Sequence, residues 1–296
     1  MPSLKEYKAK LASLKNTRKM TKTMKMVSAS KLYKTMDAQR KASAMAEQLK
    51  RMISNLAGSV DPASSPLFQK RPNPRRILVL LITSDKGLCG GFNNNLIKFA
   101  ARWMAAPDRE GQDITLSCCG RRGHLFFRSR KNIHRFYDGV TQKPGYHHAE
   151  EIGADLRREF TGGAFDEVYL AYNHFINPIS QKPVMEKILP VEPQELETAS
   201  GTLPATSSLQ SNYLLEPSRE VLLERLLPMT VNFKIYYALL ENAAGENGAR
   251  MTAMDNATTN ASKLIDLYTL LRNRARQAAI TKELIEIISG AEALKS

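Results

Sequence analysis

The residues that come closest to a chemical motif are a glycine-rich run from Ser84 to Asn93, directly after an apolar stretch and directly before a helical pattern. In an α/β sheet, the turn from a strand into a helix is where phosphate groups bind. The spacing of Gly87, Gly90 and Gly91 matches neither the dinucleotide fingerprint nor a P-loop. A sharp turn also needs glycine for positive φ, so we favour a structural role and keep a nucleotide site as the alternative.

Other reactive side chains are few. His147 and His148 precede Glu150 and Glu151, which could suggest a metal site, but this stretch reads more simply as the polar start of a helix. The cysteines, Cys89, Cys118 and Cys119, match no metal-ligand spacing or disulfide framework, which favours a reducing compartment. No nucleophile elbow or zinc-protease helix occurs, and no histidine stands beside a nucleophile. We therefore predict no catalytic site, no metal and no cofactor.

The elements that frame these residues fall into two kinds. From Ser3 to Ala57 there is neither glycine nor proline, which predicts one helix about 80 Å long. A second long helical stretch closes the chain. Between them, a linker from Gly58 to Pro74 leads into alternating strands and helices, typical of an α/β domain with a largely parallel sheet. The predicted strands and helices of that domain are, in chain order, Ile77 to Thr83, Asn94 to Ala105, Ile114 to Cys119, His147 to Phe160, Val168 to Tyr172 and Val184 to Leu189. A polar loop from Pro190 to Ser211, predicted to be mobile and exposed, follows.

The two terminal helices carry apolar residues on a 3-4 spacing, typical of a coiled coil. The first helix begins with Leu4, Tyr7, Leu11 and Leu14 and then changes phase to Met20, Met24 and Val27; the last has Leu264, Leu267, Leu271, Ala278, Ile285 and Ile288. We predict an antiparallel intramolecular pair. Packing on the central domain and zipping of identical chains are the alternatives. Polar residues interrupt both seams, so part of the pair is expected to face something else.

Charge is concentrated in the first helix. The chain of 296 residues has a net charge of +14, and basic residues in the first sixty far outnumber the acidic Glu6, Asp37 and Glu47. Such a surface fits nucleic acid or an acidic protein. The first helix has only Tyr7 and Tyr33 as aromatic residues to stack on bases, which does not favour nucleic acid. No apolar run is long enough to span a bilayer and no signal-peptide core is present, so we expect a soluble or peripheral protein.

Three motifs resemble one known family, the gamma subunits of F-type ATP synthases, and they cover the chain in order from end to end. They are Lys15 to Leu32, Ser84 to Asn93, and Ala249 to Thr258 together with Asn273 to Ile280. The resemblance implies a non-catalytic central-stalk rotor. Its terminal helices form an antiparallel coiled coil inside a ring of three alpha and three beta subunits, which bind the nucleotides, and rotation couples ion flow to ATP synthesis or hydrolysis.

The resemblance also implies a domain plan: residues 1-60 and 213-296 form one discontinuous coiled-coil domain, and residues 75-212 a Rossmann-like α/β domain. That domain lies near the foot, against the epsilon subunit and the membrane ring of c subunits, with delta as a further partner. The implied location is the cytoplasmic side of a bacterial inner membrane, held peripherally through the complex, and no nucleic acid is expected.

Motif matching places contacts with the alpha/beta ring at Lys22, Met24, Lys25, Arg250, Gln277, Thr281 and Glu283. Without the resemblance, the lysines would be read as solvated and Met24 as a core residue. The sequence departs from the family at Arg272, where tyrosine is usual, and at Gly245 and Gly248, which are expected to interrupt the last helix where the family commonly has serine and a better helix former. Local softening of the shaft by these glycines is a hypothesis. It has no match to the cysteine-containing insert of plastid members.

Overall fold

The computed structural model describes residues 3–57, 65–191 and 219–293. Its contacts group into two compact units. One, the helical unit, combines Met1–Ala29 with Arg250–Ser296; the other, the central unit, is Ser30–Ala249. The two terminal helices, α1 (Leu4–Ala57) and α5 (Arg219–Ala293), each contribute to both units.

The central unit contains a five-stranded sheet of β1 (Arg76–Ile82), β2 (Asp113–Cys119), β3 (Ile133–Tyr137), β4 (Glu167–Phe175) and β5 (Gln181–Leu189). The spatial order is β3-β2-β1-β4-β5. The first four strands run parallel, and β5 pairs antiparallel with β4. The predicted largely parallel α/β sheet is therefore confirmed.

Alternate residues of β1 face two separate cores because side chains of a strand point to opposite faces. Ile77, Val79 and Leu81 pack with α2 (Phe92–Met104). On the other face, Leu78, Leu80 and Ile82 pack with α4 (Tyr146–Thr161) and with buried residues of α5. This double burial explains why the predicted strand is an uninterrupted apolar run.

Two elements of the central unit were missed by the sequence prediction, the edge strand β3 and the short helix α3 (Arg121–Phe127). The first four residues of β3, Ile133 to Phe136, are half-buried or exposed, so the strand lacks an apolar run. In α3, Gly123 allows close packing, since a Cβ there would lie 2.9 Å from the Leu81 side chain. Neither feature is visible as periodicity.

The predicted linker is only partly a linker. Residues 58–64 lie outside the described residues, but Pro66–Phe68 forms a turn of 3-10 helix that buries Leu67 and Phe68. Val191 donates its backbone N–H to the Leu67 carbonyl at 2.9 Å. The predicted mobile loop from Pro190 to Ser211 lies outside the described residues from 192 onward, and its first two residues are buried.

Helix α5 is continuous through Pro228, Gly245 and Gly248. The expectation that the two glycines interrupt it was wrong, and packing gives the reason. A Cβ on Gly245 would lie 2.8 Å from the Phe92 ring, and one on Gly248 would lie 3.0 Å from Cα of Pro178. Both glycines lie where α5 packs closely on the sheet domain, and a side chain at either position would require its neighbours to shift.

In the helical unit, the two helices run antiparallel. Tyr7 meets Tyr268 with ring centroids 6.3 Å apart, and Thr258 donates to the Thr21 hydroxyl at 2.7 Å. A residue near the start of α1 thus contacts a later residue of α5 than Thr21 does, as expected for antiparallel helices. The predicted antiparallel pairing is confirmed.

The seam uses different residues from those predicted. On α1 the starting heptad continues without a change of phase, and it buries Leu11, Thr21 and Ser28. On α5 the buried residues are Met254, Ala261 and Ile265, whereas Leu264 and Leu267 are 41% and 49% exposed. Two of the polar residues that interrupt the predicted seam, Thr21 and Ser28, are therefore buried in the pair, whereas Arg18 is exposed.

Candidate partner interface

The glycine-rich turn after β1 satisfies its own polar groups. Asn93 accepts from the Ser84 backbone N–H at 2.9 Å and donates from Nδ2 to the Ser84 hydroxyl at 2.7 Å. Gly90 has φ +58° and Leu88 has φ +63°. The structural interpretation of the glycines is confirmed at Gly90, whose left-handed backbone favours a residue without Cβ.

The crevice in which an α/β sheet usually binds a nucleotide lies at the carboxyl ends of the strands where the strand order reverses, here β1 and β4. Helix α5 lies across it. Asn242 of α5 is fully buried and donates to the Thr83 carbonyl at 3.4 Å. Gly245 abuts Phe92, the first residue of α2. Helix α5 thus packs against the end of β1 and the first residue of α2, where a phosphate would approach the sheet.

His147 and His148 lie in the first turn of α4. His148 Nδ1 accepts from the Gly145 backbone N–H at 3.2 Å, which caps the helix. Burial, together with the neighbouring His147, lowers the pKa of His148. Within residues 3–57, 65–191 and 219–293, no three histidine, cysteine or acidic side chains are grouped so as to hold a metal ion.

The three cysteines are buried and unbridged. Burial raises the pKa of Cys118 to about 12 and that of Cys119 well above its ordinary value. Since the thiolate is the reactive form, burial disfavours reaction at both thiols.

The predicted ring contacts on α1 share one turn of the helical unit but differ in environment. Lys22 is exposed and Met24 is half-buried. Lys25 forms an ion pair with Asp255 of α5, with Nζ 2.6 Å from Oδ1. Asp255 therefore partly neutralises the charge of Lys25 within the chain.

The predicted contacts on α5 fall into two places. Arg250 is half-buried, next to the buried stretch that precedes it. Gln277, Thr281 and Glu283 are exposed. The Thr281 hydroxyl donates to the Gln277 carbonyl at 3.0 Å, so these two residues lie on one face of the helix. Glu283 makes no hydrogen bond or ion pair within the part of the chain that the structure describes.

Each helix of the helical unit carries a second apolar stripe beside its seam. On α1, Met20 and Val27 are 64% and 52% exposed, and Met20 and Met24 help to line a shallow depression with Asn16, Lys19 and Thr23. On α5, the residues predicted as the seam, Leu264 and Leu267, belong to such a stripe. The change of phase in the sequence was the signal of this second face, which the prediction mistook for a broken seam.

Beyond the seam, the last described turns of α5 are exposed all round and rich in large apolar residues. These are Ile280, Leu284, Ile285, Ile287 and Ile288, each at least half exposed. We call this segment the tip. The sequence prediction assigned Ile285 and Ile288 to the pair with α1, which was wrong: both are exposed in the structure. An apolar surface of this kind is typical of a partner interface.

Comparison with known proteins places the chain in a family. The family model described as ATP synthase matches residues 3–294. The ATP synthase gamma chains of Geobacter metallireducens and Pelotomaculum thermopropionicum are each 42% identical to it, over the full length of both chains.

Among solved structures, the rotor of the Euglena gracilis mitochondrial ATP synthase has a TM-score of 0.64 at 21% identity, covering 94% of this chain and 98% of that one. A central-stalk chain of the Tetrahymena thermophila enzyme has a TM-score of 0.58 at 24% identity, covering 80% and 99%. These two likenesses support the fold. The full-length sequence matches establish that the chain belongs to the ATP synthase gamma chain family.

Proposed function

We propose that this chain is the central-stalk rotor of an F-type ATP synthase, turning inside a ring of three alpha and three beta subunits to couple ion flow to ATP synthesis or hydrolysis. The observation that carries the proposal is the second apolar stripe on both helices of the helical unit, continued by the tip. One buried seam already holds the helix pair together, so the second apolar stripe does not contribute to the pairing of the two helices. The surrounding ring would cover it.

The helices have the mechanical properties that a rotor needs. Helix α5 runs unbroken over 75 residues, and α1 over 54. Continuous backbone hydrogen bonding resists bending, so a turn at one end reaches the other. The different side chains around the pair present a different surface to each of three equivalent beta subunits, which would hold those subunits in different states.

The ring contacts combine charge with apolar surface. Lys22, Met24 and Lys25 on α1, with Arg250, Gln277, Thr281 and Glu283 on α5, are the side chains we propose to meet the ring. Exposed lysines around Met20 and Val27 favour acidic loops of beta as partners. Electrostatic contacts with low directionality can pass from one equivalent loop to the next.

In this proposal the coiled coil comprises residues 1-60 and 213-296, and the α/β domain of residues 75-212 faces epsilon and the ring of c subunits, with delta as a further partner in the complex. The described helices contain no stretch apolar enough to cross a membrane. Attachment to the cytoplasmic side of the inner membrane would be peripheral, through the c-ring. The chain itself would be non-catalytic, with nucleotides bound by alpha and beta and no cofactor of its own.

Co-expression with alpha and beta subunits tests the proposal. We expect the chain to co-elute at one copy per ring on size-exclusion chromatography and to change the ATPase turnover of the ring. A chain that does not co-elute with well-formed rings would contradict the rotor function and favour nucleic-acid binding instead. Measuring DNA binding over a series of salt concentrations would then test that alternative. Saturable nucleotide binding to the isolated chain, lost on changing Gly90 and Gly91, would instead favour a nucleotide-dependent enzyme.

The contact residues need a separate test in the assembled complex. We expect Gln277→Ala and Glu283→Ala to alter ATPase turnover without lowering the thermal stability of the isolated chain, because both side chains are exposed. Lys263→Ala, also exposed on α5 but outside the proposed contact set, serves as the matched control. Equal effects of all three variants would contradict the assignment.

A further inference from the structure

Glu241 of α5 is a carboxylate buried in the central unit, with its side chain 1% exposed. Burying a carboxylate is costly unless several donors surround it. Here donors come from three elements: Gln39 Nε2 of α1, the backbone N–H of Phe175 at the end of β4, and the Tyr237 hydroxyl of α5 itself. His174 Nδ1 of β4 lies 2.8 Å from Oε2. One side chain thus ties both terminal helices to the sheet.

The neighbouring contacts of α5 with the sheet domain are mainly apolar. Leu227, Val231, Ile235 and Leu239 are fully or almost fully buried in the core beneath β1 and β4. Apolar contact holds surfaces together but is non-directional, so it resists separation more than it resists sliding. Hydrogen bonds to a buried charge are directional and are lost when the geometry changes.

We propose that Glu241 is the positioning residue that fixes the rotational angle of the helices against the α/β domain, so that torque passes between the two. The inference rests on the rotor function proposed above. A side-chain carboxylate lies about 5–6 Å from its helix axis, so a twist of about 15° would move it by roughly 1.5 Å. Directed along the contact, a displacement of that size lengthens the 2.8 Å separation of His174 Nδ1 and Glu241 Oε2 to more than about 4 Å, beyond hydrogen-bond distance.

Other polar contacts also hold α5 to the central unit. Asn242 donates to the Thr83 carbonyl at 3.4 Å, and Lys234 Nζ lies 3.1 Å from Oε1 of Glu186 on β5. Arg157 of α4 donates to the carbonyl of Pro228 at 3.2 Å and to the amide oxygen of Asn232. These groups are neutral on the α5 side, and Arg157 is half-buried. The Glu241 cluster differs because it is charged, buried and shared by α1, α5 and β4.

The test measures torsional stiffness in the assembled complex. Rings containing the chain are fixed to a surface, and a rod is attached to an engineered cysteine on the α/β domain. Thermal spread of the rod angle during pauses reports stiffness, since a softer connection fluctuates more widely. The variants are Glu241→Gln, which keeps the shape but replaces one acceptor oxygen by a donor amide group, and Gln39→Leu, which removes only the α1 donor. Glu224→Gln, exposed on the same helix, is the control.

We expect the angular variance to rise by about twofold or more in Glu241→Gln, on the scale by which mutations along a coupling path act, and to change less in Gln39→Leu. Glu224→Gln should match wild type. An unchanged variance in Glu241→Gln overturns the inference, even if fewer complexes assemble, because a purely structural role would lower yield and not stiffness. A wild-type chain that does not rotate in the ring would overturn the rotor function as well.

Discussion

Gly248 lies inside the continuous helix α5, although glycine is unfavourable in the interior of an isolated helix. Glycine costs about 1 kcal/mol relative to alanine inside a helix, which is the basis for expecting a softened shaft. In the structure, however, Gly248 faces Cα of Pro178, and its neighbour Gly245 faces Phe92. The space at these positions is set by the approach of α5 to the sheet domain.

We therefore predict that Gly248→Ala destabilises the chain by about 1 kcal/mol, because the added methyl would lie 3.0 Å from Cα of Pro178 and the backbone there has to shift by a few tenths of an ångström. Gly290→Ala is the matched control, since nothing lies within 4 Å of a Cβ there. It should be neutral or stabilise by up to about 1 kcal/mol. Urea unfolding of both variants gives the comparison. Equal stabilisation by the two substitutions would show that packing at Pro178 is not limiting.

Lys25 is the predicted ring contact that has an internal partner. Its ion pair with Asp255 has side chains 41% and 53% exposed, so solvent screens the attraction. A double-mutant cycle of Lys25→Ala and Asp255→Ala should give a coupling of about 0.2–1 kcal/mol in unfolding free energy. In the complex, Lys25→Ala should alter ATPase turnover more than Asp255→Ala does. The same change in both would assign Lys25 to the seam alone.

At the scale of elements, Asp166 joins the start of β1 to the turn that follows α4. Its side chain is 7% exposed and accepts from the Arg75 and Arg76 backbone N–H groups and from the Arg71 and Arg76 guanidinium groups. Burial alone would raise the pKa of Asp166, but these hydrogen bonds, led by the Arg76 N–H, outweigh it and hold the pKa well below its usual range.

We predict that Asp166→Asn lowers the unfolding free energy by about 2–4 kcal/mol at pH 7. Because the folded-state pKa is depressed, this contribution is fully present above the unfolded pKa of about 3.9 and is lost as pH falls toward the folded value. The difference between wild type and variant should thus shrink below about pH 4. Chemical unfolding at pH 7, 5 and 3 measures it. A gap that stays constant down to pH 3 would contradict the ionic role.

The sequence could predict the elements that have a simple residue pattern, such as an uninterrupted apolar run or a long stretch without helix breakers. Strand β1 is apolar at every position from Ile77 to Ile82 because both of its faces are covered there, and α1 contains no glycine or proline over its whole length. Strand β3 could not be predicted, since it lies at the sheet edge with Arg135 exposed. The prediction of which residues form the seam was wrong for a related reason. Thr21 and Ser28 are polar but small enough to be buried between closely packed helices, whereas the apolar Met20 is exposed.

The same reasoning applies to the candidate interface. Family motifs identified Gln277, Thr281 and Glu283, and the structure places all three on exposed positions of α5. The role of Glu241 could not be predicted from the sequence, because Gln39 and His174 lie far from it along the chain. Only the fold brings these three residues together.

At the scale of the whole molecule, both the net charge of +14 and the apolar tip favour a partner that encloses the chain. Charge accelerates association but is screened by salt, whereas apolar burial determines how slowly the partners separate. Raising ionic strength should therefore slow the entry of the chain into rings and leave its residence there nearly unchanged.

The tip carries the last prediction. Leu284 and Ile288 lie four residues apart on one face of α5 and are 54% and 60% exposed. If the ring covers them, each serine substitution removes about 1.5–3 kcal/mol of apolar burial, so Leu284→Ser with Ile288→Ser should speed dissociation by a hundredfold or more. Unfolding of the isolated chain should not change, because these side chains pack against no core. Ile179→Ser, equally apolar and 82% exposed but on the central unit, tests whether any exposed isoleucine would do the same. Retention that is insensitive to the tip but sensitive to Ile179 would move the ring contact to the α/β domain and contradict the proposed orientation of the rotor.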